Sequence, residues 1–165
     1  MQPPPASDAI FWADSTPGLD WHPNVQAMFR YWRSIHPGAR LPGRQHFSPA
    51  DIKRLLPGVW LLDIQAAPFR LRYRLVGTRI VQMIGKDPTG LWLDEAHAEV
   101  AERPSYFERY RVVADTALPS WRRGRPTLWI NEDFATIENL VMPLSADGDK
   151  VDMLLAFTAV TEGRD

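Results

Sequence analysis

From Phe69 onward, apolar and basic residues alternate. Phe69, Leu71, Tyr73 and Leu75 fall on one parity, and Arg70, Arg72 and Arg74 on the other. A period of two predicts a strand with one buried face and the three arginines projecting together from the opposite face. After Gly77 the period changes. Val76, Ile80, Met83 and Ile84 form one stripe of a short helix, and Gly85 stands where a left-handed cap would end it. Asp87, Pro88, Thr89 and Gly90 then supply the chemistry of a turn in its usual order. Upstream, Val59 to Gln65 reads as a short strand joined through Ala66, Ala67 and Pro68 to the alternating one.

The remaining pattern divides the same way. Asn24 is a candidate N-cap for a helix carrying Val25, Met28, Phe29, Trp32 and Ile35 on one face, ended by Pro37 and Gly38. Residues 40–47 read as loop. Ser48, Pro49 and Asp51 predict the start of a second helix, with Ile52, Leu55 and Leu56 as its apolar face and Pro57 as its stop. Pro104 opens a longer helix in which Tyr106, Phe107, Tyr110, Val113, Ala114 and Ala117 share a face, closed by Pro119. Trp121 to Asn131 is strand-like, with an irregularity predicted at Gly124, Arg125 and Pro126. Ile137 to Ser145 and Val151 to Thr161 form the clearest hairpin, joined by residues 146–150. Pro143 must then occupy a bulge, an edge or a position without a ladder bond.

A strand that feeds a helix of one or two turns and then a Gly-closed turn resembles the front half of a PAS sensor domain. The wording RYRLVGTRIV…GKDPTG is similar to a PAS subfamily found as stand-alone proteins in alpha-proteobacteria. The resemblance spans roughly residues 46–161, and its specific part is YRLVGT…G…TG together with the final hairpin. It implies an α+β fold: a PAS-like five-stranded antiparallel sheet with short helices on one face and an N-terminal helical lead-in. The expected organisation is an arm at 1–20, a lead-in helix and loop at 21–47, the PAS-like domain at 48–161 and a tail at 162–165. The pattern has no invariant catalytic residues, so it transfers no functional residue to this chain. PAS domains usually sense or bind and rarely catalyse.

Composition narrows the chemistry. The 165 residues are 45% hydrophobic and 24% charged, an ordinary globular balance, and a chain of this length can bury roughly 70% of its unfolded surface. There is no cysteine, which excludes disulfides, thiolate metal sites and flavin chemistry through a cysteine adduct. The net charge of -1 gives no general attraction to nucleic acid or membrane, and no apolar run is long enough to span a bilayer. The first residues lack the basic and apolar regions of a secretory signal, so the cytoplasm is the default location.

Candidate catalytic groups are sparse. His22, His36, His46 and His97 are scattered without metal-pair spacing, and no metal site is expected. A mixed site at His97 with Asp94, Glu95 and Glu99 competes with a plain polar loop. Haem ligation by His97 or His46, or a bound flavin, is left open by the sequence. Nucleophile-elbow and phosphate-loop motifs are absent. Glu132, Asp133, Asp147 and Asp149 read as turn residues. Arg70, Arg72 and Arg74, with Arg122, Arg123 and Arg125 on a second strand, form a candidate surface for an anion or acidic partner. The competing reading is a solvated strand face paired to Asp63, Glu138 or Asp152.

The aromatics give the remaining site. Trp60, Tyr73, Ile80, Met83, Ile84, Tyr106, Phe107 and Tyr110 should converge between sheet and helices, walling a candidate pocket for a flat organic ligand. The same residues would equally fill a solid core. Val25, Met28, Phe29 and Trp32 on the lead-in helix must also be covered, either by the chain's own sheet or by a second copy. An arginine-rich outer sheet favours a dimer helix with partial self-coverage. The expected function is a non-enzymatic sensory, ligand-responsive or protein-interaction module. It would signal through an unidentified partner protein or a change in a homodimer. Its rivals are an adaptor with a solid core and a small isomerase-like enzyme, for which Asp63 and Glu138 are the only doubtful inward carboxylates.

Overall fold

In the computed structural model, described for residues 10–12, 18, 20–126 and 136–161, the alternating segment is strand β3, Arg70–Val76, antiparallel to β2, Val59–Gln65. Three further strands continue the sheet: β4 at Ser120–Gly124, β5 at Thr136–Leu144 and β6 at Met153–Thr161. A sixth, two-residue strand, β1 at Ile10–Phe11, pairs with β4, which corrects the expected count of five. It falls in a Pro-rich stretch with no alternation to reveal it, and pairing with β4 alone defines it. The order across the sheet is β1-β4-β5-β6-β2-β3, with every pairing antiparallel. The chain is therefore α+β with a PAS-like arrangement.

Four short helices cover one face: α2 at Thr78–Ile84, α3 at Leu93–Ala96, α4 at Ala98–Ala101 and α5 at Pro104–Thr116. Gly85 takes the left-handed conformation (φ 88°) that ends α2, as its position predicts. The lead-in helix α1, Pro23–Ser34, covers the other face. Its cap is His22, whose Nδ1 accepts from the Asn24 backbone N–H, rather than Asn24 itself; Pro23 fits the first helical position and moves the start forward. The stretch predicted as a second helix consists of two 3-10 turns, Pro49–Ile52 and Leu56–Gly58. Three apolar residues before Pro57 are too few to stabilise a packed helix. The predicted loop at 40–47 contains a third such turn, Arg44–His46.

Alternation in β2, β5 and β6 gives the sheet two distinct cores. Val59, Leu61, Leu140, Met142, Leu144, Leu155 and Phe157 face α1, while Trp60, Leu62, Val141, Leu154 and Ala156 face α2 and α5. β3 obeys this only in part. Leu61 pairs with Leu75 and Leu62 with Tyr73, so Arg74 is an extra, bulged residue. The bulge sends Leu75 to the α1 side while Leu71 and Tyr73 stay on the other. The expected single parity from Phe69 to Leu75 is thus corrected at its last member, while Arg72 and Arg74 still approach the same Asp63 carboxylate.

Two backbone features lock the pieces together. Pro143 lies beyond the end of β4, and its carbonyl accepts from the Trp32 indole N–H at 3.0 Å, so the residue that cannot donate sits where no strand needs it. Gly77 donates to the Val59 carbonyl at 2.7 Å. A Cβ there would come within 2.4 Å of the Leu56 and Pro57 carbonyl oxygens. The predicted strand at 121–131 ends at Gly124; residues 127–131, the carboxylates Glu132 and Asp133, most of the N-terminal arm and the tail lie outside the described residues.

Candidate functional site

On α5 the spacing i, i+3, i+4, i+7 puts Tyr106, Arg109, Tyr110 and Val113 on the face toward the sheet. Tyr110 and Val113 are buried there, and Tyr106 and Phe107 are half-buried against them. The Tyr106 and Tyr110 hydroxyls are 3.4 Å apart, and the Tyr110 ring meets Trp60 edge-on at 6.4 Å between centroids. Trp60 is in turn 6.1 Å from Tyr73. Ile80, Met83 and Ile84 come down from α2 onto the same cluster. All eight residues expected between sheet and helices share this interior.

Two polar centres are embedded in it. The first joins the Tyr73 hydroxyl to His97 Nε2 at 2.8 Å, both side chains being buried. Burial pushes the Tyr73 phenol above its ordinary pKa and the His97 imidazole below its own, so both groups stay neutral near pH 7. His97 points inward between α3 and α4 and lies 4% exposed. Its ring is thereby removed from the mixed metal site imagined with Asp94, Glu95 and Glu99. Asp94 instead accepts two bonds from Arg70, at 2.8 and 2.9 Å, which hold its carboxyl below the usual range. With Nε2 taken by Tyr73 in a packed interior, His97 does not fit as a haem axial ligand. His46 does not fit either, because its Nδ1 accepts from the Gly43 N–H in a surface turn. No cluster of three or more metal-ligating groups exists among the described residues.

The second centre was not foreseen. Arg109 reaches from α5 to the sheet and donates from Nε to Ser120 Oγ at 2.9 Å. Nη2 donates to the Ser120 and Asn139 carbonyls, both at 2.9 Å, and Nη1 donates to Asn139 Oδ1. Asn139 passes the network on, donating from Nδ2 to Thr158 Oγ1 at 3.0 Å, where the Trp60 indole N–H also arrives at 3.1 Å. Burial lowers the Arg109 guanidinium to about 10, still fully charged at neutral pH. Arginine on a helix is ordinarily solvated, so α5 alone gives no warning. The available signal was Asn139 and Thr158, polar residues set into apolar strand runs.

The other candidate residues are placed elsewhere. Arg70 lies over the Trp92 ring at 4.2 Å and pairs with Asp94 and Glu95, and Arg72 and Arg74 approach Asp63 at 3.7 and 3.8 Å. Each of these arginines has an acidic partner within the chain. Asp63 is held at that rim. Glu138 is 1% exposed but faces α1, where it accepts from the His22 N–H at 2.8 and 3.0 Å and from the Trp121 indole at 3.0 Å. Neither carboxylate reaches the helix-side interior.

The helix expected at a dimer interface packs within the chain. Val25, Met28, Phe29 and Trp32 are 0, 0, 1 and 3% exposed within the single chain, packed on its own sheet. Trp21 stacks on Trp121 at 5.4 Å and 6° and meets Phe29 edge-on, sealing that side.

A family model described as a PAS domain matches residues 21–158, from the residue before the α1 cap into the buried part of β6. No curated protein matches the chain. Among the described residues, no helix is long and apolar enough to cross a membrane.

Proposed function

The chain belongs to the PAS domain family, and on that premise we propose that it works as a ligand-responsive sensory or interaction module without a catalytic step, its input being the interior between sheet and α2–α5. The observation that carries this reading is the convergence of Trp60, Tyr73, Tyr106 and Tyr110 with two polar centres, the buried Tyr73–His97 pair and the partly buried Arg109–Asn139–Thr158 chain. Aromatic walls with a few fixed polar groups suit a flat organic molecule held by one or two hydrogen bonds. An enzyme of the isomerase type would need a carboxylate there, and the two candidates, Asp63 and Glu138, lie away from it.

The response is a population shift: a molecule that binds one packing of α2–α5 better than another favours that packing, and a partner protein or a second copy reads the change. Occupancy can be tested on freshly purified protein by native mass spectrometry and an absorption spectrum, followed by thermal unfolding against neutral flat heterocycles. A retained mass, or stabilisation of about 2.7 kcal/mol at 100 times the dissociation constant, supports the reading. No retained mass and no shift with any compound favours an adaptor with a solid core.

A further inference from the structure

Arg109 is a half-buried cation whose four acceptors are all neutral: one hydroxyl, one amide oxygen and two backbone carbonyls. These orient the guanidinium without balancing its charge. A guanidinium has five N–H groups, and four are engaged, so one hydrogen on Nη1 has no acceptor among the described residues. A second cation stands on the same sheet face. Arg122 pairs directly across from Asn139, and directly opposed residues share a face. Its Nη2 donates to the Arg125 carbonyl at 2.7 Å. Among the described residues, neither Arg109 nor Arg122 has a carboxylate within ion-pair distance, whereas Arg70, Arg72, Arg74 and Arg123 all do. The two guanidiniums repel, and the acids of α5 itself, Glu108 and Asp115, are exposed. Flanking Arg109 on α5 are the phenols Tyr106 and Tyr110, hydroxyl donors beside the indole of Trp60.

Resting on the ligand-binding reading above, we infer that this α5–β4–β5 corner receives the carboxylate of a small aromatic acid. Arg109 would be the charge partner, Arg122 the guard at the rim, and Tyr110 and Trp60 the surface for the ring. A monoanion matches the geometry better than a phosphate dianion. Arg109 has one donor left, and a doubly charged group needs several donors to offset its desolvation.

The test is isothermal titration of the full chain with benzoate, phenylacetate and indole-3-acetate, each beside its uncharged amide. At least one acid should bind saturably and about tenfold or more tighter than its amide. Arg122→Gln should weaken the acid several-fold and leave the amide unchanged, and Arg109→Gln should abolish the preference while Arg109→Lys retains part of it. Because Arg109 also ties α5 to the sheet, circular dichroism must show each variant folded; if Arg109→Gln is not, Arg122→Gln decides alone, since it is outside that tie. Acid and amide binding equally, or Arg122→Gln without effect on the acid, would overturn the anion assignment while leaving the ligand-binding reading in place. Binding of neutral heterocycles with no response to any acid would do the same. Silence from acids, amides and heterocycles alike would remove both.

Discussion

The α1 side of the sheet and the α5 side enclose comparable numbers of aromatic rings but treat polar groups differently. Under α1, indoles and apolar chains pack against one another, and Glu138, the one buried carboxylate among the described residues, is saturated by the His22 N–H and the Trp121 indole with Arg123 nearby. Those contacts fix where α1 begins. Under α5, a phenol–imidazole pair and an arginine–amide–hydroxyl chain run through the core, and one of those groups is a cation matched only by neutral acceptors. A face with nothing left to bond is suited to holding shape. A face with titratable groups and a leftover charge is suited to answering a change in its surroundings.

Mutations should separate the two sides. The largest effect is expected from Trp32→Ala, which empties a well-packed site and removes the bond to the Pro143 carbonyl. It should lower stability by about 3–5 kcal/mol in urea unfolding; under 1 kcal/mol would mean α1 is loosely attached. Glu138→Ala leaves the His22 and Trp121 donors stranded and should cost about 2–3 kcal/mol, with the loss visible as fraying of α1 by hydrogen exchange.

On the other side, Tyr73→Phe removes only a hydroxyl and should cost about 1–2 kcal/mol. Its partner gives the pH dependence. His97 has a lower pKa folded than unfolded, so below its ordinary value of 6.5 the unfolded chain takes up a proton first. Stability should hold above that value and fall as the pH drops through it toward the folded pKa. His36 is also lowered by burial, near Trp32, and contributes with the same sign. Unfolding midpoints from pH 8 to pH 5 should therefore flatten more in His97→Gln than in His36→Gln; the reverse would place the acid-sensitive group under α1. The smallest effect, under about 1 kcal/mol, is expected from Arg74→Ala, since its pairing with Asp63 is at an exposed rim.

Particular residues explain what the sequence disclosed. β2 and β3 were legible because their periodicity is local, and α2 because Gly85 marks its end. The bulge at Arg74 was not, since an extra residue exists only relative to the partner strand, and β3 reads as unbroken alternation by itself. The eight residues that meet between sheet and helices were recoverable from spacing alone. Arg109 was not, because a charged residue on a helix reads as solvent-facing until the strand beneath it is known to carry Ser120 and Asn139. The covering of α1 depended likewise on which sheet face was apolar, and the outward row of arginines on β3 misrepresented the rest of that face.

Gly77 gives the two sides a common fulcrum. With no room for even one methyl group beside the Leu56 and Pro57 oxygens, the start of α2 rests directly on the turn that leads from the α1 half of the chain into β2. Tilting α2 therefore pushes on backbone rather than on yielding side chains. An alanine at this point would act as a wedge, prising that joint open.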